Sequence, residues 1–127
     1  MCREHKETLS SACNYVASLG TLKRFGEAKS LLRKIIPVAR RVLGDSHDLT
    51  LRMRLIYAPA LYKDAGATLD DLHEAVTTLE EIEPIARRVF GGAHPMTRGI
   101  EGNLQVVRDA LRAREQPSDE EQDSQSK

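Results

Sequence analysis

Ile36-Pro37-Val38-Ala39-Arg40-Arg41-Val42-Leu43-Gly44 returns later in the chain as Glu83-Pro84-Ile85-Ala86-Arg87-Arg88-Val89-Phe90-Gly91. A His-x-x-Thr unit keeps step with it three times, at His5 to Thr8, His47 to Thr50 and His94 to Thr97, at intervals of 42 and 47 residues. Self-similarity at such a period marks a helical array, in which no unit buries its own apolar face and neighbours stack to do so. Arrays of this kind rarely carry out chemistry; they present a surface.

Working outward from the repeated stretch, residues 27 to 43 place Ala28, Leu31, Leu32, Ile35, Ile36, Ala39, Val42 and Leu43 on one helical face. Gly44 stands where a left-handed residue ends a helix, with Arg40 and Arg41 in the last turn to suit the dipole. The copy keeps Ala75, Leu79, Ile82, Ala86, Val89 and Phe90, ends at Gly91, and turns polar at Thr78 and Glu83. Each of these B helices follows an A helix: Thr8 to Leu22, then Thr50 to Tyr62. A third A helix starts at Pro95, the first helical position, so His94 is its N-cap and Thr97 sits where a hydroxyl can reach back to a free backbone donor. The predicted order is A1-B1-A2-B2-A3, an all-α fold of antiparallel helix hairpins stacked as a short right-handed solenoid. Pro37 and Pro84, at matching places, and Pro59 are expected to kink their helices. The five extra residues of the second unit fall in Gly66 to Asp71, with Thr68 or Asp70 capping B2.

A chain of 127 residues makes one domain with a modest core. The repeat domain is assigned to 1–115, with units at about 5–46, 47–93 and a partial 94–115. Residues 116–127, polar and acidic, read as a disordered tail. Apolar content is 40% but aromatic content only 4%, which suits helix-on-helix packing by Leu, Ile, Val and Ala. Lys plus Arg equals Asp plus Glu at 19 each, which argues against bulk attraction to nucleic acid or an anionic membrane. No apolar run is long enough to span a bilayer. Cys2 and Cys13, if on one helix, stand about 16 Å apart, too far for a disulfide. Reduced thiols point to a cytoplasmic setting.

The ordered set of residues resembles the tetratricopeptide repeat, in the 42-residue form found in kinesin light chain and related proteins. In the first unit the matching residues are His5-x-x-Thr8-Leu9, Asn14, Glu27-Ala28, Leu31-Leu32 and Arg41-Val42-Leu43-Gly44. The second offers His47-x-x-Thr50-Leu51, Glu74-Ala75, Leu79 and Arg88-Val89-Phe90-Gly91; the third offers His94-Pro95-x-Thr97 and Asn103. The departures are the longer second unit, the interior prolines and Ile56 where the other A helices carry Asn. The resemblance implies that the A helices line a concave groove for an extended peptide or helix. It also implies that Asn14 and Asn103 clamp the ligand backbone, since an amide both donates and accepts. Ser10, Arg52 and Asp109 are neighbouring groove positions by the same register.

No catalytic constellation appears: there is no Gly-rich phosphate loop, no Cys-His pairing at useful spacing and no placed carboxylate pair. His5, His47 and His94 recur once per unit, so helix spacing of about 8–10 Å spreads them too far for a shared metal. They are read as helix-start caps, and His73 has no evident partner. The expectation is therefore a non-enzymatic module without cofactor that binds a protein or peptide. The competing expectation is a segment or cap of a longer solenoid, or an array that self-associates through its terminal face.

Overall fold

The computed structural model describes the backbone of residues 2–115 and the side chains of 7–115. The expected tail, residues 116–127, lies outside the described residues, as do the side chains of Cys2 and His5. Five helices follow one another: α1 (Cys2–Thr21), α2 (Phe25–Leu43), α3 (Asp48–Tyr62), α4 (Leu69–Phe90) and α5 (Pro95–Glu115). They are the five helices expected from the periodicity. The starts differ: α1 extends back to Cys2, and α3 begins at Asp48 rather than Thr50.

The helix ends explain themselves chemically. His47 and His94 each turn Nδ1 toward the backbone N–H two residues on, accepting from Leu49 (3.1 Å) and Met96 (3.0 Å). Thr68 caps α4 in a reciprocal capping box, its hydroxyl accepting from Asp71 N–H while the Asp71 carboxylate accepts from Thr68 N–H. Gly44 and Gly91 end α2 and α4 with φ 94° and ψ 161°, and φ 92° and ψ 160°. Their φ is positive as expected, but ψ lies far from the left-handed helical value, in a region open to glycine. The hydroxyls of Thr50 and Thr97 do not cap. Thr50 instead donates across to the Ala39 carbonyl of α2 (3.4 Å), and the fully buried Thr97 hydroxyl has no partner among the described residues. These two threonines have thus become helix-packing residues, whereas Thr8 is exposed. Pro37, Pro59 and Pro84 lie inside helices that run on through them.

Sequential helices pack on one another, and α3 also touches α1 and α5. Cross-helix partners fix the directions. Arg54 meets Glu81 while Tyr57 meets Glu74, and Arg108 meets Glu80 while Arg87 meets Glu101, so α4 runs antiparallel to α3 and to α5. Tyr62 meets Asn103 while Gly99 approaches Leu55, so α3 and α5 run parallel. The core is aliphatic: Val16, Leu32, Leu51, Leu61, Leu79, Ile82 and Ile100 are sealed from solvent. Burying each such side chain stabilises the fold by roughly 1.5–3 kcal/mol. Thr78, polar where the first unit has Leu31, is nonetheless buried, whereas Leu31 is only half-buried.

The extra length of the second unit is shared between a longer link, Lys63–Thr68 against Leu22–Arg24, and a longer α4. The link is tied down. Arg114 at the end of α5 donates to the Ala67 carbonyl (2.7 Å), and His73, expected to have no partner, sits 3.2 Å from Glu115.

Candidate functional site

Because α3 is flanked by α1 and α5, it has only a narrow exposed strip, where Arg52 is exposed and Ile56 half-buried. Asn14 and Ser10 are exposed on α1, and Asp109 is exposed on α5. Asn103 is half-buried and already engaged: Oδ1 accepts from the Tyr62 hydroxyl, and Nδ2 donates to the Gly99 carbonyl (2.8 Å). Its amide therefore joins α5 to α3, and one Nδ2–H and the second lone pair of Oδ1 are left for a further partner. Asp109 accepts from Gln105 (3.1 Å) and lies 3.6 Å from Arg112. The candidate positions are thus spread along three neighbouring helices rather than converging on one point.

Ile56 contributes to an apolar cleft of about 410 Å³ where the end of α1, the start of α2 and the end of α3 meet. Ala17, Phe25 and Pro59 line it, with Lys23 and Lys63 among the lining residues. Lys23 has φ 63°, a left-handed conformation that turns the chain between α1 and α2. In the repeat register Ile56 stands where the other A helices carry Asn, and its apolar side chain lines this cleft.

A second cleft, of about 290 Å³, opens between α2 and α4 over α3. Here Arg33 donates to the Tyr57 hydroxyl (2.9 Å) and to Glu74 (3.1 Å), and Tyr57 donates to Glu74. Burial, followed by the bond to the Glu74 carboxylate, pushes the Tyr57 phenol up to about 12. Arg54, 5% exposed, pairs with Glu81. The charges in this cleft are mutually satisfied, so it serves as an ionic seam between the two hairpins. The sequence held one signal for it: Tyr57 follows Arg33 by 24 residues, across a single hairpin turn.

No family model, curated protein or solved structure matches the chain. The site therefore has to be read from its own geometry. Among the described residues no group of His, Cys, Asp and Glu is placed to hold a metal, and no helix is long and apolar enough to cross a membrane. Cys13 is free and 1% exposed, and burial pushes its thiol above the usual range despite the opposing Arg52 charge. A thiol so placed is a small core side chain, and its thiolate is disfavoured.

Proposed function

We propose that the chain is a non-enzymatic protein-binding module, a short right-handed solenoid of tetratricopeptide type. In this reading it takes a peptide or helix of a partner protein along the face shared by α1, α3 and α5. The observation that carries the reading is the packing of α3 between α1 and α5, which sets Asn14, Arg52 and Asn103 on adjacent helices. An extended ligand crossing them would meet amide and guanidinium groups able to pair with its backbone. Ile56 and the apolar cleft beside it would take a side chain. The proposed setting is the cytoplasm, in keeping with Cys2 and Cys13 lying on one helix at a separation of about 16 Å.

Selection of displayed random peptides on the purified chain tests this. Asn14→Ala and Arg52→Ala alter exposed side chains and should leave the fold intact while weakening the selected peptides severalfold. Failure to enrich any peptide, or equal binding by both variants, would sink the groove reading. The second reading, self-association through the terminal unit, draws on Tyr15 and Leu22, which are 55% and 64% exposed. Sedimentation of the intact chain distinguishes a monomer from a larger species.

A further inference from the structure

The two hairpins carry the same groove, roofed by a helix in one and left without a cover in the other. On α3–α4 it is built from Tyr57, Glu74, Thr78 and Glu81, and α2 covers it with Leu32, Arg33, Ile36 and Arg40. The repeat maps those four residues onto Tyr15, Glu27, Leu31 and Lys34 of α1–α2, and these line an open groove of about 590 Å³ on the end face of the molecule. Tyr57 is 6% exposed under its cover; Tyr15 is 55% exposed. Thr50 is sealed against α2, whereas its counterpart Thr8 is exposed. The interior copy thus specifies what fits the open one: an amphipathic helix lying alongside α2 as α2 lies alongside α4.

Charge then separates the helices that fit from those that do not. In the interior, Glu81 is held by Arg54 of α3, and Arg40 of α2, itself paired with Asp45, lines the same cleft. The open groove has Lys34 in place of Glu81. At its other end Glu27 is already held by Arg24, 2.6 Å away, where the second hairpin has Asp71 and Glu74 facing Lys29 and Arg33. The chain's own covering helix, α2, brings Arg40 to the position that would oppose Lys34. A helix of the α2 pattern therefore meets like charge there.

We infer that the α1–α2 end face docks an amphipathic helix of a different protein, one that presents aliphatic residues at i and i+4 and a carboxylate at i+8 opposite Lys34. This surface is separate from the α1, α3 and α5 face, and the inference does not rest on the peptide-groove reading.

The probes are two synthetic peptides of residues 25–43, held helical by a lactam on the outward face, one with the native Arg40 and one with Arg40→Glu. Each is titrated into the full chain and followed by backbone NMR. The Arg40→Glu peptide should bind with shifts centred on Tyr15, Leu31 and Lys34, and about five-fold more tightly than the native peptide, the scale of an exposed ion pair. A Lys34→Glu chain, altered at an exposed residue, should reverse that preference. Equal binding, no binding by either helical peptide, or shifts confined to α3 and α5 would overturn the inference. So would a dimer of the intact chain that Tyr15→Ala abolishes, because that result would assign the face to a second copy.

Discussion

The Tyr57 hydroxyl joins three helices through Arg33 of α2 and Glu74 of α4. Tyr57→Phe should lower stability by about 1 kcal/mol, the usual worth of such a bond when its partners can turn to water; urea denaturation measures it. Its raised pKa has a definite sign. Between the ordinary value of 10.0 and about 12, the unfolded chain loses the phenolic proton while the folded chain keeps it. The unfolded state then binds fewer protons, so stability falls as pH rises through that window. Ultraviolet titration should show the Tyr57 phenol ionising well above its ordinary value of 10.0. Asp71 acts at the other extreme: the Thr68 backbone N–H, aided by the Lys29 charge, holds its carboxyl below the ordinary 3.8. Its contribution is present above the unfolded pKa and is lost as pH falls through the lower folded value. At this scale the histidine caps were legible in sequence, since a cap depends on neighbours two residues away. The Tyr57 seam and the engagement of Asn103 were not, because each joins residues far apart in the chain.

At the scale of the element, the caps and joints decide where helices stop. Thr68→Ala removes half of a capping box and should cost about 1 kcal/mol, with faster amide exchange confined to the first turn of α4. Gly44→Ala and Gly91→Ala force a Cβ into a backbone region that side chains avoid, at about 1–3 kcal/mol each. No neighbouring atom lies within 4 Å of the added Cβ at either site, so the loss would be backbone strain and not a clash; thermal melting of the two variants checks it. Helix existence and order were readable from the 3.6-residue period. The threonine roles were not, because burial overrode capping: the Thr50 hydroxyl serves α2, and the Thr97 hydroxyl is sealed without a partner among the described residues. Pro37, Pro59 and Pro84 lie inside their helices, as their place in the pattern implied.

Over the whole molecule, α3 is the element that all four other helices touch. Hydrogen exchange should therefore rank α3 most protected, with α1 and α5, each packed from one side, opening first. Leu51→Ala, at a sealed position in α3, should cost about 2–5 kcal/mol and shift the unfolding midpoint of every helix together. The all-α class was legible from composition and period. The end-face groove was not, because its meaning depends on seeing which copy is covered.

The two joints at Gly44 and Gly91 differ by no more than a couple of degrees in φ and ψ. They are interchangeable parts. A chimera that exchanges residues 43–47 with 90–94 would keep the same turn at both places and leave the direction of each following helix unaltered. The individuality of the two hairpins therefore resides in their side chains and in the Lys63–Thr68 link, while the corner itself is common stock that a designer could reuse to append a third unit.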